Sequence, residues 1–152
     1  MSGNDICQQL KDKDEIMAVL VRYTKAADST DGEALMRSVF HSDATDEHAG
    51  MFSGKMADLI PKMMELRKLF NIMQHVISNF SIKLDGDFAD TECYVTGTQG
   101  YLKDGKQYFW LAGGRYVDRF ERRNGEWRIL RRVSHVDWSR IECPDPSLKP
   151  PI

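Results

Sequence analysis

Hydrophobic residues in the first half of the chain recur every three to four positions, which is the spacing of amphipathic helices. The spacing predicts a first helix over residues 14–27 and a short second helix over residues 33–40. A third helix is predicted over residues 55–70, where Pro61 is expected to kink or split it because proline lacks a backbone N–H donor. The polar stretch over residues 41–48 is predicted to be a short strand.

From Met73 onwards, apolar and polar residues alternate, which is typical of β-strands. Four long strands are predicted, over residues 73–84, 89–102, 107–122 and 126–138. The pairs Asp104-Gly105 and Asn124-Gly125 favour type I′ hairpin turns, because both turn residues adopt positive φ. The second half is therefore predicted to be an antiparallel meander. Its strands exceed the usual ~5–6 residues and are expected to bend or bulge at Gly97 and at Gly113-Gly114.

Helices followed by long antiparallel strands predict an α+β fold, in which the N-terminal helices pack on a strongly curved sheet shaped as a half-open cone. A curved sheet cannot fill its own concave face, so the helices are expected to close it over a pocket, which is the default ligand site. One domain is predicted over residues 1–152. Residues 142–152 contain four of the five prolines and are expected to form an extended C-terminal arm.

Composition narrows the classes of function. The net charge of -2 and the lack of a basic run argue against nucleic acid and anionic membranes as partners, and no stretch approaches the ~20 apolar residues of a membrane span. The three cysteines are widely spaced and form no CxxC motif, and the sequence contains no HxH, HExxH or glycine-rich phosphate loop. These patterns predict neither a metal nor an organic cofactor. A polar N-terminus without an apolar signal core favours a cytoplasmic protein.

Several short motifs occur in the order found in one known family. They comprise residues 23–28, 73–79, 113–116 and 121–129. Over residues 10–140 this order resembles SnoaL-like proteins of the nuclear transport factor 2-like superfamily. The nearest group is that of scytalone dehydratase, hexachlorocyclohexane dehydrochlorinase and bile-acid 7α-dehydratase.

The resemblance implies an Asp–His dyad at Asp28 and His75, a pocket tyrosine at Tyr23 and a pocket arginine at Arg132. Bile-acid dehydratases place a tyrosine five residues before the aspartate, whereas the dehydrochlorinase has a lysine there, so Tyr23 favours a hydroxyl leaving group. A second pocket histidine and the additional pocket acid of the dehydratases find no match in this sequence, which argues against the fungal naphthol substrates.

These residue types suit elimination across a carbon–carbon bond. A histidine, with an ordinary pKa of ~6.5, can take the proton from carbon, and a carboxylate such as Asp28 can hold its tautomer and stabilise the imidazolium. Tyr23 can donate a hydrogen bond to a substrate oxygen, and Arg132 can hold developing negative charge. The expected protein is a cofactor-independent lyase of the dehydratase type, or an isomerase, acting through His75 on a bulky hydrophobic cyclic substrate.

The residues taken singly leave plainer interpretations open. His75 alone is more often a strand histidine bonded to a carbonyl, Asp28 a turn residue and Arg132 a solvent-facing side chain. Asp46 and His48 are expected on a surface strand. Two alternative functions remain. The first is a non-catalytic subunit or ligand-binding protein like the β-subunit of aromatic-ring dioxygenases, which would leave His75 without a paired acid. The second is a polyketide cyclase.

The apolar side chains predict the partners. A group of methionines is expected near the roof of the pocket, which favours a steroid-like, aromatic or polyketide-like small molecule: Met51, Met56, Met63, Met64 and Met73. The convex face of the sheet is expected to carry Phe109, Leu111, Val117 and Leu130. Because a monomer would expose this face, a homo-oligomer is predicted, with a trimer ahead of a dimer since the enzymes it resembles are commonly trimeric.

Overall fold

Three helices and six strands make up the computed structural model, which describes residues 3–144. The helices are α1 (Gly3–Asp28), α2 (Glu33–Val39) and α3 (Met56–Arg67). The strands are β1 (Phe40–His48), β2 (Phe52–Lys55), β3 (Ile72–Asp85), β4 (Phe88–Lys103), β5 (Lys106–Arg123) and β6 (Glu126–Glu142). The chain therefore has the predicted α+β fold, with its helices in the N-terminal half.

The helices differ from the prediction at their ends. Helix α1 begins at Gly3, well before residue 14; residues 8–11 are strong helix formers, although this part of the helix has no apolar stripe. Ile6 and Leu10 in this part are exposed. Helix α3 ends at Arg67 and continues through Pro61 without being split. Burial of its apolar residues, Leu59 among them, outweighs the single N–H donor that proline lacks.

The strands pair in the order β2-β1-β6-β5-β4-β3. The predicted meander of β3 to β6 is antiparallel throughout, and its turns at Asp104-Gly105 and Asn124-Gly125 have positive φ at all four residues. Strand β1, in contrast, runs parallel to β6, so the sheet is mixed rather than purely antiparallel. This pairing joins strands that are distant in sequence, and the local hydrophobic pattern does not encode it.

Three register shifts shape the long strands of the meander. The pairing of β5 with β6 shifts between Gly113 and Gly114, as predicted. At Gly113 the ring of Trp138 lies so close that a Cβ atom would stand 2.3 Å from it. Gly97 remains in regular register, so the bend expected there is wrong. The other two shifts lie between Arg119 and Phe120 of β5 and in β3 around Asn79, which has a φ of 55°.

The helices pack on one face of the sheet and enclose the core. Buried apolar residues come from α1, α2, α3 and the long strands, and include Ile16, Leu20, Met36, Val39, Met56, Ile60, Phe120, Trp127 and Ile129. The carboxylate of Asp12 fixes α1 against the sheet, because it accepts hydrogen bonds from Trp127 Nε1 at 3.1 Å and Arg122 Nη1 at 2.7 Å. This packing holds the C-terminal end of α1 beside the start of β3.

Strand β6 extends to Glu142, four residues beyond its predicted end, and Ile141 pairs with Trp110. The expected C-terminal arm, residues 142–152, lies outside the described residues from position 145 onwards. Within the part of the chain that is described, no helix is both long and apolar enough to cross a membrane.

Candidate active site

A cavity of about 320 Å³ lies between helices α1 and α3 and the sheet, within the usual size range of ligand sites. Its polar lining comes from six elements and consists of Tyr23, His48, Lys62, Arg67, His75, Gln99 and Tyr116. The apolar lining is made of Ala27, Met51, Phe52, Leu59, Met63, Met64, Leu66, Phe70, Met73 and Trp110. Four of the five methionines expected near a pocket therefore line it, and Met56 is buried in the core instead.

Asp28 and His75 meet at one side of this cavity. The ring Nδ1–H of His75 donates to Asp28 Oδ1 over 2.6 Å, and the backbone N–H of His75 donates to Oδ2 over 3.1 Å. Two hydrogen bonds to one carboxylate fix the imidazole in a single orientation and leave Nε2 as the unprotonated nitrogen. The side chain of His75 is 13% exposed and that of Asp28 is 27% exposed, so the pair is partly shielded from water.

The neighbouring backbone makes room for this pair. A Cβ atom at Gly97, which pairs with His75 across β3 and β4, would stand 3.4 Å from the His75 ring and 2.8 Å from Gln99 Nε2. Gly97 therefore accommodates the imidazole instead of bending the strand. On the helix side, Arg67 Nε donates to the backbone carbonyl of Asp28 at 2.8 Å and so anchors the last residue of α1.

Tyr23 reaches the cavity from α1, with only 1% of its surface exposed. Burial raises the pKa of Tyr23, and this outweighs the nearby Arg132 cation, which lowers it; the Asp46 carboxylate also raises it. The hydroxyl consequently stays protonated at neutral pH and is available as a hydrogen-bond donor.

Arg132 is completely buried and is absent from the cavity wall. Its guanidinium lies against the rings of Tyr23 and Tyr116, 4.0 and 4.1 Å from their centroids, and makes two hydrogen bonds of 2.7 Å to Asp118. Burial by itself lowers the pKa of Arg132, but the Asp118 carboxylate raises it above its ordinary value. The expectation of a solvent-facing Arg132 is wrong: the guanidinium contacts two tyrosines of the cavity wall and does not itself line the cavity.

Asp46 and His48 were expected on a surface strand, and this is wrong. Asp46 is 1% exposed, His48 lines the cavity, and His48 Nδ1 lies 3.4 Å from Asp46 Oδ1. Neither carboxylate oxygen of Asp46 has a hydrogen-bond partner among the described residues. The cavity therefore contains a second histidine backed by a second acid. The only signal in the sequence was strand alternation, which places both residues on the face of buried Ala44.

No group of three or more histidine, cysteine, aspartate or glutamate side chains gathers as a metal site within the described residues. The polar groups of the cavity wall can transfer protons, through the two histidines, and form hydrogen bonds, through Tyr23, Tyr116, Gln99, Lys62 and Arg67.

Comparison with known proteins identifies related sequences. The family model of the SnoaL-like domain matches residues 8–133. The uncharacterized protein Mb2934c of Mycobacterium bovis is 30% identical over 127 residues, which are 82% of this chain and 85% of that protein. The uncharacterized protein Rv2910c of Mycobacterium tuberculosis matches with the same identity and coverage.

Solved structures with the same fold include three informative ones. The Kfla4162 protein of Kribbella flavida has a TM-score of 0.79 at 21% identity, covering 87% of this chain and 95% of its own. A type 2 hexachlorocyclohexane dehydrochlorinase (LinA) has a TM-score of 0.79 at 16% identity, covering 95% and 97%. A scytalone dehydratase-like protein of Novosphingobium aromaticivorans has a TM-score of 0.76 at 19% identity, covering 93% and 97%. At these identities the likeness establishes the fold.

Proposed function

We propose a function from one established premise, which is that this chain belongs to the SnoaL-like domain family. The proposed activity is a cofactor-independent elimination of the dehydratase type, or the related proton-transfer isomerisation, on a bulky hydrophobic cyclic substrate. The observation that carries it is the 2.6 Å hydrogen bond between Asp28 and His75 beside a mainly apolar cavity. The family and two of the similar structures, a dehydrochlorinase and a dehydratase-like protein, support an elimination.

In the proposed reaction, His75 Nε2 removes a proton from a carbon next to a substrate carbonyl. The electron pair of that C–H bond forms the new carbon–carbon double bond as the neighbouring C–O bond breaks, and the departing hydroxide is protonated to water. Asp28 stabilises the imidazolium that forms on His75. In the isomerisation no C–O bond breaks: the electron pair of the C–H bond is held in an enolate, and the proton returns to another carbon, so that a double bond already present in the substrate changes position.

The departing oxygen needs a hydrogen-bond donor, and Tyr23 is placed to supply it. Its raised pKa keeps the hydroxyl protonated at the pH at which His75 acts as a base. Arg132 supports this role as a positioning residue, because its guanidinium packs on the Tyr23 ring from outside the cavity. His48 is a second group in the cavity wall that can carry a proton to the departing oxygen.

The non-catalytic alternative, a protein like the dioxygenase β-subunit, is less well supported. That interpretation expects His75 to lack a paired acid, whereas Asp28 holds it by two hydrogen bonds. The alternative of a polyketide cyclase would use the same cavity with a different acid–base pair.

A panel of cyclic β-hydroxy ketones built on tetralone and steroid skeletons tests the proposed activity. We expect at least one member to lose water in the presence of the protein, detected as a conjugated enone by ultraviolet absorbance and confirmed by mass spectrometry. Deuterium exchange of 2-tetralone in D₂O reports proton abstraction separately from loss of the leaving group. The proposed chemistry would be ruled out if the protein bound tetralone but produced no enone from the panel and no deuterium exchange above the buffer rate.

Assembly into a homo-oligomer, with a trimer ahead of a dimer, remains a prediction. The outer face of the sheet carries a row of neighbouring residues from Val76 through Thr96 and Gly113 to Trp138, and Val76 and Trp138 are 56% and 46% exposed. Covering them in an interface would remove apolar surface from water. Light scattering after gel filtration is expected to give a multiple of 17.5 kDa. A mass of one chain at micromolar concentration would contradict this.

A further inference from the structure

We infer that the cavity binds an anionic ligand, a cyclic hydrophobic molecule with a carboxylate group, and that Arg67 is the residue that binds this group. The inference deepens the proposed function and relies on it for taking the cavity as the substrate site. It names a class of substrate that the proposed reaction leaves open. Its test measures binding alone and requires no turnover.

The first observation is the charge of the cavity wall. Two cations line it, Lys62 and Arg67, and no aspartate or glutamate of the described chain does so. Asp28 lies behind His75 and Asp46 lies behind His48, each beside its own histidine. A concave site lined by charge of one sign within low-dielectric walls concentrates ligands of the opposite sign. The expected ligand is therefore an anion.

The second observation concerns the counterions of the arginines. Most arginines of the described chain form an ion pair with a carboxylate. The paired arginines are Arg37, Arg115, Arg119, Arg122, Arg123, Arg128, Arg131, Arg132 and Arg140. Two arginines are buried, Arg67 and Arg132. Asp118 compensates the charge of Arg132 with two hydrogen bonds, whereas no described carboxylate lies within ion-pair distance of Arg67.

The hydrogen bonds of Arg67 leave part of its guanidinium available. Nε donates to the carbonyl of Asp28 at 2.8 Å, and Nη1 donates to the carbonyl of Phe70 at 2.7 Å. Nη2 donates to no described residue, although the side chain is only 9% exposed and lines the cavity. A buried charge is costly without a partner, and a guanidinium is well matched to a planar carboxylate. A ligand carboxylate would accept a hydrogen bond from Nη2 of Arg67 and compensate the charge of its guanidinium.

The location of Arg67 also fits the proposed reaction. Arg67 and His75 both bond to Asp28, one at its backbone carbonyl and the other at its carboxylate. A carboxylate held by Arg67 would therefore lie on the side of the cavity that holds the base, and the apolar methionine and aromatic wall would receive the ring system. Lys62, with its Nζ 5.0 Å from the Phe52 ring centroid, adds positive charge at the cavity.

A matched pair of ligands tests the inference by isothermal titration calorimetry: 2-naphthoate, which is anionic, and 2-naphthamide, which has the same shape without the charge. The protein is expected to bind naphthoate about tenfold or more tightly than naphthamide, the difference expected of one charge-assisted hydrogen-bonded contact. Arg67→Gln should abolish this preference while leaving the naphthamide affinity within about threefold. Arg67→Lys should retain part of the preference, because it keeps the charge but loses the planar fork.

The control variants separate binding of the carboxylate from the role of Arg67 in holding α1. Arg22→Gln removes an arginine that forms no described ion pair and lies outside this cavity, and it should leave the ratio of the two affinities unchanged. Lys62→Gln measures how much of the preference for naphthoate over naphthamide depends on the second cation. His75→Gln should also keep the preference, so loss of catalysis and loss of anion binding are distinguishable. Equal binding of the two ligands, no binding of naphthoate, or an unchanged ratio in both Arg67 variants would overturn the inference.

Discussion

Replacing His75 with glutamine is expected to lower turnover of the best substrate from the β-hydroxy ketone panel by ~10²–10⁴-fold, the usual effect of removing a general base. Glutamine preserves much of the shape of the side chain but cannot accept a proton from carbon at neutral pH. Asp28→Asn should also be severely impaired, because it removes the negative charge that stabilises the imidazolium and perturbs the bonds to His75 Nδ1 and N. Steady-state rates at saturating substrate give both values.

Two controls make this result specific. His135→Gln removes an exposed histidine of β6 that lies outside the cavity, and turnover should remain within about twofold. Both dyad variants should retain the circular dichroism spectrum and the ligand affinity of the original protein. Full activity of His75→Gln would exclude the proposed base, and deuterium exchange of 2-tetralone would then identify whether His48 removes the proton instead.

Breaking the buried pair of Arg132 and Asp118 is expected to have the largest effect on stability. Both side chains are fully buried, and removal of either partner leaves an uncompensated charge or unpaired donors in the core. Asp118→Asn and Arg132→Met should each lower the free energy of unfolding by about 3–5 kcal/mol. The Arg132 change also removes the cation that packs against the rings of Tyr23 and Tyr116. Urea denaturation followed by fluorescence measures these losses.

Comparison with an exposed pair tests the physical reason. Arg115 and Asp137 pair at 3.1 Å with side chains 36% and 46% exposed, so Asp137→Asn should leave the urea midpoint almost unchanged. The double variant Arg132→Met/Asp118→Leu should recover much of the lost stability, because no buried charge is then left alone. A loss as small in Asp118→Asn as in Asp137→Asn would show that the buried carboxylate is dispensable for folding.

The sequence predicted the elements of the fold more reliably than their ends. The hairpin turns at Asp104-Gly105 and Asn124-Gly125 and the meander they connect agree with the structure, because turn chemistry and strand alternation act between neighbouring residues. The start of α1 was placed too late because its first turns are exposed and lack an apolar stripe. Gly97 was assigned a bend, whereas its lack of a side chain makes room for His75.

The candidate site was predictable only in part. The resemblance placed Asp28, His75 and Tyr23 together, and all three occur at or beside one cavity. Arg132 was assigned to the ligand but lies behind the tyrosines, and Arg67, which the sequence analysis did not single out, lines the cavity instead. A helix-terminal arginine has no distinguishing local pattern, and its distant partner, the carbonyl of Asp28, comes close to it only after folding.

The sequence by itself determined the three helices, five of the six described strands and the antiparallel meander, because periodicity and turn residues are local properties. Strand β2 (Phe52–Lys55) was not predicted, and the candidate dyad of Asp28 and His75 came from the resemblance to SnoaL-like proteins. Only the tertiary structure decided which polar groups face the cavity. The parallel pairing of β1 with β6 turns Asp46 and His48 inward and brings Asp46 opposite Arg132. Burial of this kind depends on contacts between residues far apart in the chain, and a short hydrophobic pattern carries no information about them.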